Sequence, residues 1–389
     1  MNFFVQQGEL KDIYEKVSAG ERISDSDALL LFQTKDLNAV GAIADLARQR
    51  KSGNRASYII NCYINYSNYC ILSCQFCSFA RKKRDADGFQ LTIDEIVEKA
   101  RAALKLGITE LHIVGGLHPS LPFSYYVDML KALRALDPRL QLKCFTAIEI
   151  LHLAWLGKRT LEQTLAELKS AGLDSLTGGG AEIFRKEVRS AIAKGKELGE
   201  EYLDVHRAWH RMGGRSTCTM LYGHIEQLED RVDHLRMLRG LQDETHGFVG
   251  FVPLPYQPEN NDIPVRNPPT GFDCLRTVAV SRIYLDNFDH ITAYWVGMGL
   301  KLAQVSLSYG ADDLHGTILE EHIFHMAGAT SPQLQTETNL VKAIREARRI
   351  PVQRNTFYEP IRLWEASSAA DDHNAEGRSK ILDRNLATA

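Results

Sequence analysis

Cys70, Cys74 and Cys77 place three thiols within one short stretch of a 389-residue chain. Thiolates this close along the backbone can converge on one inorganic cluster without help from distant parts of the fold. A structural zinc usually takes four ligands in two separated pairs. No second pair follows: Cys62, Cys144, Cys218 and Cys274 each stand alone and read as small buried apolar side chains. A cubane held by three thiolates keeps one iron without a protein ligand, and an open coordination position lets a metal centre act on a small chelating molecule. The alternative is a three-cysteine zinc or electron-transfer site.

Strands expected at 58–66, 110–114, 141–146, 174–176, 216–221, 247–253, 290–296 and 305–308 must position these groups. Amphipathic stretches at 93–106, 125–136, 160–171 and 228–242 separate them, the pattern of a parallel sheet with crossover helices. The expected class is α/β, a (β/α)8 TIM-type barrel over 56–310, close to the usual ~250 residues. An N-terminal helical layer (1–55), with Ser24 or Asp25 as a cap, precedes it; a C-terminal extension (311–365) and a small polar tail (366–389) follow. Active sites of such barrels form at the C-terminal ends of the strands, and the cysteines directly follow strand one. Prolines 253, 255, 258, 264, 268 and 269 predict a long substrate loop over 253–270, neither helix nor inner strand. With 46 basic against 49 acidic residues, the net charge of −3 argues against bulk nucleic-acid or membrane-surface binding. No apolar run approaches the roughly 18 residues of a membrane span, so a soluble, cytoplasmic protein is expected. Seven cysteines, an odd number, suit metal or thiol chemistry better than a disulfide scaffold.

The CxxxCxxC spacing, with Phe76 before the last cysteine, resembles the radical S-adenosylmethionine (SAM) superfamily. That resemblance implies a 4Fe-4S cluster on Cys70, Cys74 and Cys77, with SAM chelating the open iron and cleaved reductively to a 5′-deoxyadenosyl radical. The other strand ends offer a bed for SAM. Gly115 and Gly116 resemble the superfamily's glycine-rich motif after strand two and are expected to leave room above the open iron for the methionine end of SAM. Thr146 and Glu149 suit ribose hydroxyls or an amino group. In Thr177-Gly178-Gly179-Gly180-Ala181-Glu182, a glycine turn before a helix can cradle an anion, with Gly179 and Glu182 at the site; the GxGxxG dinucleotide fingerprint is absent. Tyr222-Gly223-His224 after strand five and Tyr294-Trp295 after strand seven add aromatic walls with few acids, suited to an aromatic carboxylate. His206 and His210 lack the glutamate of an HExxH zinc site and read as a surface or core pair. The run Arg81-Lys82-Lys83-Arg84 reads as a solvated loop, placed where an acidic flavodoxin- or ferredoxin-type electron donor could dock.

From about residue 58 to 358 the chain resembles the futalosine branch of menaquinone biosynthesis, and most of all the aminofutalosine synthase family. The resemblance is carried by 178–184, 210–213, 219–224, 241–245, 281–287, 290–295 and 310–314. Several of these blocks are shared with the sibling cyclic dehypoxanthine futalosine synthase and with a deazaflavin-forming enzyme. Phe184 and Met326-Ala327-Gly328-Ala329 favour the synthase. This likeness implies addition of the adenosyl radical to 3-[(1-carboxyvinyl)oxy]benzoate, aryl migration and loss of a carboxylate to give aminofutalosine. Candidates to meet this small aromatic dicarboxylate are His118, Tyr222, His224, Arg282 and the N–H groups of the Gly178 turn. The alternatives are the sibling cyclase and a non-catalytic iron-sulfur electron-transfer protein.

Overall fold

A computed structural model describes residues 8–265 and 267–364; the expected tail, 366–389, lies outside the described residues. Strands β1 (Arg55–Ile59), β2 (Asn61–Ile64), β3 (Glu110–Ile113), β4 (Gln141–Cys144), β5 (Ser175–Leu176), β6 (Arg215–Tyr222), β7 (Phe248–Pro255) and β8 (Asp313–Gly316) build the barrel. β2 to β7 form one parallel sheet in sequence order, as successive βαβ crossovers dictate. The sheet continues through parallel bridges from Phe251 to Ile291 and from Thr292 to Asp313, and β8 pairs in parallel with β1. The ring therefore closes, with β1 and β2 as two halves of strand one. They part at Ile60, where the Asn61 N–H donates to Thr317 Oγ1 (3.0 Å) and that hydroxyl donates to the Asn61 carbonyl (2.9 Å).

Three details differ from the expectation. Strand seven, expected over 290–296, is reduced to the bridges at Ile291 and Thr292, because Trp295 opens the helix Trp295–Met298 and its indole N–H donates to the Gly316 carbonyl at 2.9 Å. Residues 305–308 are not strand eight: they end the helix Leu300–Ser306, where Ser306 Oγ donates to the Leu302 carbonyl at 2.9 Å. The true strand, Asp313–Gly316, carries an acid and a histidine that hydrophobic patterning does not mark. It is buried because Arg354, Ser57 and Thr292 satisfy Asp313. Nor does the loop begin at Pro253, since Pro253 and Pro255 lie inside β7, paired with Met220 and Tyr222. They share the orientation of Phe251, whose N–H points away from β6 to the His290 carbonyl, while the Tyr256 N–H points back to Tyr222. On that far side only Phe251 has a bridge partner among the described residues, so the missing proline N–H groups break no ladder bond.

Ser24, not Asp25, caps the helix Asp25–Gln33, exchanging bonds with Asp27 in a capping box. The N-terminal helix Leu37–Ser52 packs along Gly271–Tyr284. Beyond β8, the helix Glu337–Glu346 leads to β9 (Ile350–Arg354), parallel to β1, and β10 (Pro360–Leu363), antiparallel to β9. Along β3 and β4, Leu111, Ile113, Leu142 and Cys144 join the apolar core, whereas His112 and Lys143 between them border a central cavity. Each buried Leu or Ile contributes about 1.5–3 kcal/mol. The core-facing set thus stabilises the barrel and leaves its interior positions open to polar residues.

Candidate active site

Cys70, Cys74 and Cys77 line one cavity of about 280 Å³ inside the barrel mouth. Their loop follows β2 and is fixed by main-chain bonds: Cys70 N–H to Arg81 O (2.9 Å), Ile71 N–H to Leu117 O (3.0 Å) and Gln75 N–H to Ile192 O (2.8 Å). Lys82 departs from the solvated reading of its charge run. Its ammonium donates to the carbonyls of Cys70 (2.9 Å), Ile71 (3.3 Å) and Leu72 (2.7 Å), clamping the loop from outside. Burial pushes the Cys74 thiol up to about 12 and raises Cys77, opposed at Cys74 by the Lys196 ammonium; bound iron would reverse that preference by favouring thiolate. Among the described residues no set of three His, Cys, Asp or Glu closes on a point the size of one ion. The three thiols share the cavity, and Cys74 lies close enough to Cys70 and Cys77 to feel their charge. The other four cysteines are buried in the core.

Gly115 and Gly116 border the cavity, but their small size serves packing beneath the cysteine loop. A Cβ on Gly116 would lie 2.3 Å from the Tyr69 carbonyl oxygen and 3.0 Å from Cys70 Cβ; on Gly115 it would strike the Tyr66 ring at 2.5 Å. A side chain there would collide with protein before it reached the space over the cysteines. Glu149 is 2% exposed. Its carboxylate accepts from Tyr66 Oη (2.7 Å), Gly115 N (3.0 Å), Thr146 N (2.7 Å) and Thr146 Oγ1 (2.7 Å). Burial raises its pKa and these bonds oppose the rise. Thr146 and Glu149 are also the capping box of the helix Ala147–Gly157.

Gly179 borders the cavity beside Thr146, and Gly178 packs so closely on β6 that a Cβ would lie 2.6 Å from Cys218 Cα. Glu182 reaches the cavity with φ of 46° and pairs with Lys196. Burial works against its charge, yet Lys196 and Arg189 hold its pKa below the usual value. Lys196, which the sequence did not single out, also lies 5.2 Å from the centre of the Phe76 ring. Below this rim, Tyr63, His112 and Lys143 occupy matched positions on β2, β3 and β4. Tyr63 stacks on His112 at 4.2 Å, and its hydroxyl meets His315 Nε2 at 3.2 Å. Burial lowers the pKa of Lys143, opposed by Glu110. From above, Tyr256, Gln257 and Asn261 of the proline-rich loop and Ile323, Phe324 and Ala327 complete the lining.

His118, Tyr222, His224 and Arg282 do not line this cavity. His118 Nδ1 accepts from the Ser120 (3.1 Å) and Leu121 (2.9 Å) N–H groups and holds a turn. Tyr222 is buried under Arg231, 4.9 Å from its ring centre. His224 Nε2 lies 3.1 Å from the Leu221 carbonyl, with Nδ1 beside Glu226. Arg282 donates to the Gly310 carbonyl (2.7 Å) and Asp312 (2.6 Å), bracing the helix before strand seven. His206 and His210 share Ser216 Oγ in the core.

Comparison with known proteins agrees with this arrangement. Residues 64–238 match the radical SAM superfamily, and 245–367 match the CofH/MqnC C-terminal region. An aminodeoxyfutalosine synthase of Thermus thermophilus is 42% identical over 369 residues, covering 94% of this chain and 99% of the relative. A cyclic dehypoxanthine futalosine synthase of Streptomyces coelicolor is 38% identical over 360 residues, covering 92% of this chain and 90% of the relative. The solved FeFe-hydrogenase maturase HydG from Carboxydothermus hydrogenoformans shares the fold, with a TM-score of 0.71 at 17% identity over 90% of this chain and 80% of that one. No helix among the described residues is long and apolar enough to cross a membrane. With its cysteine-lined barrel mouth and these matches, the chain belongs to the radical SAM superfamily, as an enzyme of the futalosine-pathway family that works with a 4Fe-4S cluster and SAM.

Proposed function

We propose that the enzyme is an aminofutalosine synthase, joining the adenosyl group of SAM to 3-[(1-carboxyvinyl)oxy]benzoate with aryl migration and decarboxylation, so that SAM is consumed as a cosubstrate. Cys70, Cys74 and Cys77 hold the cluster, which when bound supplies the electron that cleaves SAM. Phe76, Gly115, Gly116, Thr146, Glu149, Gly179 and Glu182 form the SAM side of the cavity. Lys83 and Arg84, exposed beside the cysteine loop, offer a surface for an acidic flavodoxin- or ferredoxin-type donor. The barrel is the catalytic unit, and the N-terminal helices and C-terminal strands support it. Seven unpaired cysteines favour a reducing, cytoplasmic setting.

The observation that carries this reading over the sibling cyclase is the position of the synthase-like segment Met326-Ala327-Gly328-Ala329. Ala327 lines the cavity, and Asn260 ties the segment down through Nδ2 to the Met326 carbonyl (3.0 Å) and its own N–H to the Ala327 carbonyl (3.3 Å). Phe184, the other such marker, lies one layer behind the lining, stacked on His234 at 4.0 Å. Leu72, Leu254, Ile323 and Phe324 enclose a site suited to holding an alkene against the ribose carbon and keeping out competing hydrogen donors. The test is anaerobic turnover with each candidate substrate, followed by mass spectrometry. Aminofutalosine formed from the carboxyvinyloxy-benzoate supports the synthase. Turnover of dehypoxanthine futalosine alone assigns the cyclase.

A further inference from the structure

Lys143 is 5% exposed on the interior face of β4 and borders the cavity. Among the described residues its ammonium makes no hydrogen bond or ion pair, although it is a lysine inside a barrel. The carboxylates whose fields reach it are Glu110 and Asp313, and both are engaged elsewhere. Glu110 accepts from Asn61 Nδ2 (3.0 Å) and Thr356 Oγ1 (2.9 Å). Asp313 accepts from Arg354 Nε (2.6 Å), Ser57 Oγ (2.7 Å), Thr292 Oγ1 (3.0 Å) and the His315 N–H (2.8 Å). A buried cation without a partner is costly, so an isolated ammonium at the edge of a void is a place for an incoming anion. The surfaces around it are flat: Tyr63 stacked on His112, and Tyr294 edge-on to Phe324 at 5.3 Å. Lys143 and Thr146, three residues apart along the chain, border the same cavity.

We propose that Lys143 binds the ring carboxylate of a benzoate-type substrate at the base of the cavity, turning the substituent meta to it toward the cysteine loop. This rests on the aromatic dicarboxylate reading above and assigns that substrate's orientation. The Gly178 turn is then not needed for this carboxylate. Tyr63 and Tyr294 contact the ring, and Lys143 acts as a specificity-determining residue distant from the bond-forming carbon.

Binding of 3-methoxybenzoate and 3-methoxybenzamide to the cluster- and SAM-loaded holoenzyme, measured anaerobically by calorimetry, tests this. The wild type should prefer the carboxylate by about 10- to 100-fold, the range of a charge-assisted hydrogen bond. Lys143→Met should erase that preference with iron content and SAM binding unchanged, and Lys143→Arg should keep part of it. Equal affinity of the wild type for the two probes overturns the proposal even if the Met variant does not fold, and so does a preference that survives in Lys143→Met. A wild type that shows the Lys143-dependent preference yet fails to convert the carboxyvinyloxy-benzoate supports the role of Lys143 and refutes the synthase reading.

Discussion

The two ends of the cavity are positioned by different means. At the rim the backbone does the work: cysteine-loop N–H groups bond to Arg81, Leu117 and Ile192, Lys82 gathers three loop carbonyls, and Gly116 lets two chain segments touch. At the floor, single side chains from separate strands meet: register aligns Tyr63, His112 and Lys143, and His315 joins them through the Tyr63 hydroxyl. The rim is over-determined, so a change there should disturb the group held by the cysteines. The floor carries little of that burden, so a change there should alter substrate preference alone.

The largest effect that would sharpen this contrast is at the thiols. Alanine at Cys70, Cys74 or Cys77 should reduce anaerobically reconstituted iron and SAM cleavage to background. Alanine at Cys62, Cys144, Cys218 or Cys274 should leave iron loading intact and cost about 1 kcal/mol of stability. Equal loss of iron at Cys144 or Cys218 would break the three-ligand account. Next comes Gly116→Val: because its side chain must displace Tyr69 and Cys70, it should lower iron content as well as SAM binding, with an overpacking cost of about 1–3 kcal/mol. Full iron with lost SAM binding would show instead that this glycine serves only the ligand.

Smaller effects probe the outer braces. Lys82→Met frees three loop carbonyls, and loss of iron to a chelator should quicken about three- to tenfold; an unchanged rate would make the clamp incidental. The smallest effect concerns Glu321, which accepts from the Phe324 (2.9 Å) and His325 (3.2 Å) N–H groups of the helix Ile323–Met326 and lies 2.7 Å from His325 Nδ1. The Glu321 hydrogen bond raises the pKa of His325 above 6.5. A raised histidine stabilises fully below its unfolded pKa and loses that contribution as pH climbs through the folded value. The Tm should therefore fall slightly from pH 6 to 9, with solvent screening holding the change under about 1 kcal/mol, and His325→Gln should remove that slope.

The same contrast explains what could be read in the sequence. The cysteines, the glycine pairs and the Thr146–Glu149 box are local patterns, and each borders the cavity. The barrel was legible from alternating periodicities, except where polar β8 gave no apolar signal. Lys196, in Lys194-Gly195-Lys196-Glu197, looks like solvated charge until the fold brings Glu182 to it. Lys143 looks like the outward residue of Gln141-Leu142-Lys143-Cys144. One signal could have exposed it: strands of a parallel barrel are buried on both faces, so a lysine at the centre of one requires a reason. His118, His224 and Arg282 drew notice as polar residues near strand ends, but each is committed to backbone carbonyls, N–H groups or neighbouring acids, and residue type alone does not reveal such commitments.

The central claim is that the adenosyl group becomes part of the product, and SAM labelled in its ribose tests it most directly. With reduced enzyme and 3-[(1-carboxyvinyl)oxy]benzoate, the label should pass into aminofutalosine, with methionine released in equal amount and one carboxylate lost. Label found only in 5′-deoxyadenosine, and only when dehypoxanthine futalosine is supplied, would contradict the synthase and make the enzyme a cyclase that uses the radical to abstract hydrogen.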